Sequence, residues 1–277
     1  MKTQFRFVVV SMFLLALFAF VSCNSSNTKE TVVTEDTTQH ADTLHAENVH
    51  AEVHWSYEGE TGPENWKNIC KGSNCQCGGT NQSPIDLSAT TLDKGLKPLM
   101  LNYVVATNTE LINNGHTVQV NIAPGSKFML DSSEYELKQF HFHCPSEHTV
   151  KGKSFPMEIH LVHANADGKI AVVGILTKEG KENLFLKACL DTIPDEANEK
   201  VSNSVQLDIT KLLPTKKKYF SYSGSLTTPP CTEGVSWFVM KAPIEVSKDQ
   251  LAALGAAMPP NNARPVQALN ERVVKEQ

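Results

Sequence analysis

The sequence predicts a mainly β domain with a few short helices over residues 55–277, behind an export segment. Three observations carry this. Short runs of alternating polar and apolar residues recur and are bounded by turn chemistry, helical periodicity is confined to two stretches, and no internal repeat divides the chain. The 277 residues are 40% hydrophobic and 20% charged, an ordinary globular balance that excludes disorder throughout. One β domain of this length is reasonable.

From the N-terminus, Lys2 and Arg6 precede a mainly apolar stretch from Phe7 to Val21, and small Ser22 stands before Cys23. That stretch falls short of the ~20 residues that cross a ~30 Å hydrocarbon core, so residues 1–22 read as a signal peptide. Phe20-Val21-Ser22-Cys23 resembles a bacterial lipobox, in which the chain is cut before the cysteine and acylated on it, although Leu is usual where Phe20 stands. The expectation is a lipid anchor on Cys23, holding the protein to a bacterial membrane on the periplasmic or outer side. Ordinary cleavage, or a buried thiol, is the alternative. Residues 23–54 are rich in Thr, Glu, Asp, Asn and His without apolar periodicity, as in a flexible tether. The spaced His40, His45, His50 and His54 either collect metal or reflect a tolerant linker composition, and the second is the simpler account.

Within the domain, strands are expected over Leu111 to Ile112, Thr117 to Ile122, Lys127 to Leu130, Glu136 to His143, Glu158 to His163, Ile170 to Leu176 and Ser236 to Lys241. Asn113-Asn114-Gly115, Ala123-Pro124-Gly125 and Asp167-Gly168 punctuate them, and Asp167-Gly168 marks a hairpin. Helices are expected over Glu182 to Leu190 and Lys248 to Ala257.

The chemistry concentrates in two of these strands. Side chains two apart on a strand share a face, so Gln139, His141 and His143 point one way while Phe140 and Phe142 point the other. A second strand presents Glu158, His160 and Val162 on one face. Three neutral imidazoles leave the fourth position of a tetrahedral Zn²⁺ for water, the arrangement of a catalytic site. Gln139 and Glu158 each stand two residues before a candidate ligand, placed to hold the second imidazole N–H. Taken alone, this pattern is equally compatible with structural histidines.

Six cysteines remain besides Cys23, and export permits disulfides, but spacing does not fix their pairing. Cys70, Cys75 and Cys77 lie in a Gly-rich loop, where a thiolate zinc cluster is the lesser reading. A formal net charge of -5 offers no basic field for a phosphate backbone, which excludes nucleic acid as an expected partner. Lys216 to Lys218 is the one cationic run and reads as a solvated loop.

The motifs Gln82-Ser83-Pro84-Ile85, Asn113-Asn114-Gly115-His116, Gln139-Phe140-His141-Phe142-His143, Ser146-Glu147-His148-Thr149-Val150, Glu158-Ile159-His160-Leu161-Val162-His163 and Ser225-Leu226-Thr227-Thr228-Pro229-Pro230 stand in the order of the alpha carbonic anhydrases, and the chain resembles that family from Trp55 to about Val274. Trp237, Asn262 and Arg264-Pro265 extend the resemblance. It implies a central twisted, mostly antiparallel sheet, a conical zinc-containing cleft, and reversible hydration of CO₂ to bicarbonate and a proton. It implies that His141, His143 and His160 bind zinc, that Thr227 and Glu147 orient the nucleophilic hydroxide, and that His116 shuttles protons. Val162, Val172, Leu226 and Trp237 match the apolar pocket for CO₂, with Thr228 at its mouth, and Cys77 and Cys231 match a disulfide common in secreted members. Zinc lowers the pKa of bound water to about 7, a figure for which this family is itself the standard example.

Some positions depart from the family's pattern. The spacing from His143 to His160 is shorter than in animal members, Cys144 stands where many of them have Trp, and Gln119 where some have Asn. Two rival readings are a non-catalytic binding module on the same fold, whose relatives typically lose a zinc histidine, and a zinc esterase or peptidase. None of the three histidines is missing, and no His-Glu-x-x-His motif occurs.

Overall fold

A computed structural model of the chain describes residues 54–277 except 73, 195, 204 and 205. The expected signal peptide, Cys23 and the expected tether up to residue 53 lie outside the described residues. The strands are β1 (Thr90–Leu92), β2 (Met100–Asn102), β3 (Val105–Ala106), β4 (Thr109–Asn113), β5 (Val118–Ile122), β6 (Lys127–Leu130), β7 (Ser133–His143), β8 (Glu158–Ala164), β9 (Ile170–Glu179), β10 (Lys200–Asn203), β11 (Leu207–Asp208), β12 (Tyr219–Ser225), β13 (Glu233–Met240), β14 (Ile244–Val246) and β15 (Val274–Glu276). The α-helices are α1 (Trp66–Ile69), α2 (Leu184–Leu190) and α3 (Lys248–Ala256).

Thirteen strands form one twisted sheet whose main path runs β1-β15-β12-β13-β9-β8-β7-β5-β4-β10, and β11 pairs separately with β3. Neighbours are antiparallel except β1 with β15, β13 with β9, and β14 with β9. The mostly antiparallel expectation therefore holds, with a parallel join at the centre that requires the long crossover through α2 and β10–β12. Residues 51–277 form one compact unit.

Side-chain alternation sorts the central strands into two faces. Phe140, Phe142, Ile159, Leu161, Val173, Ile175, Phe238 and Met240 are buried in the larger core behind the sheet, while Val172, Trp237, Val239 and Tyr222 pack on the face that carries the histidines. Each fully buried large apolar side chain contributes about 1.5–3 kcal/mol by leaving water. A register shift between Leu137 and Gln139 interrupts the alternation. This bulge lets Leu137 join Phe140 in the rear core while Gln139, two positions on, faces forward.

Both expected helices form, with ends moved by a residue or two. Asn183 caps α2 by accepting from the backbone N–H groups of Phe185 and Leu186, and Ser247 with Gln250 forms a capping box on α3. Gln250 also bonds the Asn183 backbone in both directions, at 2.8 and 2.7 Å, tying the two helix starts together. The Asp167-Gly168 hairpin forms with a longer loop than the dipeptide suggests, because Asn165 Oδ1 accepts from both Asp167 and Lys169. The strand expected at Leu111 to Ile112 extends over Thr109–Asn113, and that expected at Ser236 to Lys241 is Glu233–Met240.

Strand β12 has no counterpart among the expected strands, although it lies inside the sheet. Its Ser- and Gly-rich sequence reads as turn composition, yet the glycine is a steric requirement. A Cβ on Gly224 would meet Ser83 Oγ and the Tyr222 ring at well under contact distance.

Candidate metal centre

The pairing of β7 with β8 sets His141 directly opposite His160 and His143 opposite Glu158. The donor atoms of His141, His143 and His160 all lie within 4.8 Å of one another. The ring centroids are 5.1 Å apart for His141 and His143, 5.2 Å for His141 and His160, and 4.6 Å for His143 and His160.

Two of the rings are held by a hydrogen bond on their other nitrogen, and the third lies in charge contact with a carboxylate. His141 Nδ1 donates to Gln139 Oε1 at 2.8 Å, and His143 Nδ1 donates to the backbone carbonyl of Asn262 at 2.7 Å. His160 Nε2 lies 3.1 Å from Glu158 Oε1. The sequence-derived partners Gln139 and Glu158 thus fall where expected. The third, a backbone carbonyl 119 residues from His143, carries no side-chain signature and was not anticipated.

The two hydrogen bonds fix the tautomers of His141 and His143 and leave each ring one lone pair for a cation, while Glu158 sets the His160 ring beside them. Burial is the largest cause holding all three imidazoles below their ordinary pKa, His143 at about 4, so the rings are neutral as ligands must be. A direct sign of fit is the contact between His143 Nε2 and Glu147 Oε2. Both atoms are buried without a hydrogen-bond partner and stand 3.4 Å apart. Since His143 carries its proton on Nδ1, a neutral ring and an ionised carboxylate would face each other as two acceptors there, an arrangement that needs a cation or a shared proton between them.

Glu158 is deeply embedded. Its Oε2 accepts from the backbone N–H groups of Glu147 and His148 at 3.0 and 2.8 Å, and its Oε1 accepts from His148 Nδ1 at 2.7 Å. Burial opposes its charge, but His148 and His160 outweigh that and hold its pKa well below the carboxylate norm. His148 Nε2 in turn meets Tyr222 Oη at 2.7 Å, and Tyr222 donates to Ser83 Oγ at 2.8 Å. Gly174, opposite His160 on β9, leaves room for this carboxylate: a Cβ there would lie 2.8 Å from Glu158 Oε1. His148, Glu158 and His160 also cluster as possible ligands, but Glu158 already accepts from His148 Nδ1 and from two backbone N–H groups.

Glu147 is also buried. Burial pushes its pKa up to about 7, against the lowering effects of His160, of the Arg264 backbone N–H donated at 2.9 Å, and of the neighbouring Thr227 hydroxyl. Beside the histidines runs an apolar row set by strand register, Val162 opposite Val172 and Val172 opposite Trp237. Leu226 packs against it, and Trp237 Nε1 donates to the Ser225 carbonyl at 2.9 Å, which satisfies the indole without offering a polar group to the cleft. Thr227 is buried and Thr228 half-buried just beyond the end of β12.

His116 stands apart from this cluster, in the turn between β4 and β5. Its backbone N–H goes to Asn114 Oδ1 at 3.0 Å and its carbonyl accepts from Asn262 Nδ2 at 3.0 Å, so one asparagine contacts both the His143 ring and the His116 turn. The His116 ring stacks on Trp55 with centroids 3.7 Å apart and planes at 10°. It lines a cavity of about 650 Å³ together with His54, Trp55, Cys70, Cys75 and Pro230. Burial, then the nearby charge of His54, lowers its pKa below the usual histidine value.

Cys77 is bonded to Cys231, as the resemblance implied, and Cys70 is bonded to Cys75, a pairing the sequence left open. These bonds displace the thiolate-cluster reading of Cys70, Cys75 and Cys77. Among the described residues Cys144 and Cys189 are free thiols.

Sheet and site together define a three-histidine centre that adjoins an apolar row. The family model for eukaryotic-type carbonic anhydrases matches residues 61–277. A carbonic anhydrase of Klebsiella pneumoniae is 46% identical over 225 residues, which cover 80% of this chain and 91% of that protein. The solved structure of a hyperthermostable carbonic anhydrase from a hydrothermal vent chimney superimposes with a TM-score of 0.77 at 46% identity, over 81% of this chain and all of that one. The Thermovibrio ammonificans alpha-carbonic anhydrase, solved with the inhibitor sulfanilamide, gives 0.77 at 44% identity, over 80% and 99% of the two chains. The chain belongs to the alpha, or eukaryotic-type, carbonic anhydrase family, zinc enzymes whose activity is the reversible hydration of CO₂.

Proposed function

We propose that this chain hydrates CO₂ at a zinc ion held by His141, His143 and His160. The observation that carries the reading is the convergence of three neutral imidazoles, two fixed by hydrogen bonds on the other nitrogen and the third set against Glu158. Zinc, when bound there, supplies a Lewis acid that makes water nucleophilic at neutral pH. The residues around it do the rest. Glu147, anchored by the Arg264 N–H, accepts the Thr227 hydroxyl proton, which leaves Thr227 oxygen to accept from the attacking oxygen and to direct its remaining lone pair. CO₂ has no charge to pair, so the row of Val162, Val172, Leu226 and Trp237 is a suitable seat, with Thr228 at its mouth. His116, neutral at pH 7 because its pKa is lowered, accepts the surplus proton and passes it to buffer in the cavity it lines.

Stopped-flow CO₂ hydration of wild type and His116→Ala tests both the activity and this division of labour. The wild type is expected to hydrate CO₂. The variant is expected to keep its zinc and nearly all of its kcat/KM while kcat falls by about tenfold or more, and imidazole buffer should restore it. Equal loss of kcat and kcat/KM without rescue would make His116 a structural residue.

The proposal extends to location. Residues 1–22 direct export, and acylation of Cys23 tethers the enzyme to a bacterial membrane through residues 23–54, facing the periplasm or the exterior; the short apolar stretch ending in Ser22-Cys23 supports this. Mass spectrometry of the membrane fraction should find a mature chain beginning at acylated Cys23. A soluble, unmodified mature chain contradicts it.

A further inference from the structure

We propose that the Cys70–Cys75 disulfide is a positioning element for proton transfer, holding the aromatic platform on which His116 is stacked. The inference rests on the shuttle role proposed for His116.

The His116 backbone is pinned by Asn114 and Asn262, whereas its ring has no hydrogen bond among the described residues and is packed face to face with Trp55 and edge-on to Tyr57 at 6.5 Å. Trp55 is in turn set edge-on against Trp66, with centroids 5.2 Å apart. Trp66 is fully buried, and its Nε1 is shared between the carbonyls of Ser56 and Thr61 at 3.1 and 3.0 Å. It begins the four-residue helix α1, a length with no stability of its own, so the platform depends on what clamps that helix.

The clamp is at the other end of the helix. The Cys70 N–H closes α1 on the Trp66 carbonyl, and Cys70 Sγ is bonded to Cys75, whose successor Gln76 donates its N–H to the Pro230 carbonyl at 2.8 Å. The disulfide therefore ties the helix carrying Trp66 to the segment that begins with Thr227 and Thr228. Cys70, Cys77 and Cys231 are buried in one cluster with Tyr57 and Trp66, against which Trp55 and Cys75 pack. Both sulfur-bearing residues line the same cavity as His116. Cys77–Cys231 fixes the neighbouring strand end and packs against Trp66, but of the two disulfides only Cys70–Cys75 is bonded to the residue that closes α1.

The test is Cys70→Ala/Cys75→Ala, assayed beside wild type, His116→Ala and the combined triple variant. Zinc content and kcat/KM are expected to stay at wild-type values while kcat falls about threefold to tenfold, a part of the general acid–base contribution, with rescue by imidazole. In the triple variant no further loss beyond His116→Ala is expected, because the disulfide acts through that ring. An unchanged kcat in the double variant, with His116→Ala impaired, overturns this inference and leaves the shuttle standing. If His116→Ala is itself unimpaired, the shuttle reading and this inference fall together. Parallel loss of kcat and kcat/KM also overturns it. Should the double variant not fold, wild type treated with a small dithiol gives the same readout. Two electrons and two protons pass to Cys70 and Cys75 as thiols while the reagent closes its own disulfide, and alkylation mapping confirms that Cys77–Cys231, whose Cys231 is fully buried, stays intact. Here kcat should fall with kcat/KM preserved and recover on reoxidation; an unchanged kcat in chains mapped as Cys70/Cys75-reduced overturns the inference.

Discussion

His160→Ala is expected to abolish metal retention and CO₂ hydration together. His160 is the only candidate ligand on β8, and it stands directly opposite His141, so removing it leaves two imidazoles from one strand that cannot close a three-nitrogen site. The Lewis acid is worth several kcal/mol at the transition state, and at ~1.4 kcal/mol per decade its loss predicts at least a thousandfold fall in kcat/KM. The variant should still fold. Glu158 keeps the two backbone N–H groups and the His148 imidazole as partners, so its charge is not stranded when the ring opposite goes. Metal analysis and circular dichroism on one sample check this. A folded variant with full zinc and normal activity would remove His160 from the ligand set.

Breaking the Cys77–Cys231 bond is expected to have the largest effect on stability. It joins residues 154 apart, and the chain-entropy model assigns a loop of that length ~5 kcal/mol, against a usual range of about 2–5 kcal/mol. The same model gives only ~2 kcal/mol for the five-residue Cys70–Cys75 loop, so the two bonds should separate by experiment in how far each lowers the melting midpoint. Cys77 also lends its carbonyl to the Arg264 guanidinium, which bonds Gln82 Oε1 and the Ser83 carbonyl at 2.8 Å each. Loosening this end should therefore disturb the Arg264 segment that anchors Glu147. The paired Cys77→Ser/Cys231→Ser substitution is expected to lower the denaturation midpoint and also kcat. Unchanged melting and activity would make the bond idle.

The parts of the site legible in the sequence are those written in strand periodicity. Gln139, His141, His143, Glu158 and His160 were placed on facing sides by a two-residue period, because the backbone itself alternates. What register adds is nonlocal. The alignment of Val162, Val172 and Trp237 across three strands followed from resemblance and not from pattern, since neither strand reveals its neighbour. The carbonyl of Asn262 that fixes His143 was invisible because every residue has a carbonyl. Strand β12 was missed because Gly224 satisfies a close approach to Ser83 and Tyr222, a need indistinguishable in sequence from a turn. The Cys70–Cys75 pairing was undecidable for the same reason: six cysteines with permissible spacings admit many connectivities, and only the position of α1 selects one.

On the proposed reading, CO₂ hydration depends on zinc held by the His141, His143 and His160 triad. The most direct test is stopped-flow hydration of one protein preparation as purified, after exhaustive removal of metal by chelator, and after stoichiometric return of Zn²⁺, with metal analysis at each step. The account predicts about one zinc per chain, loss of activity with the metal, and full recovery at one equivalent. Hydration that persists in metal-free protein, or zinc that returns without restoring it, would contradict it.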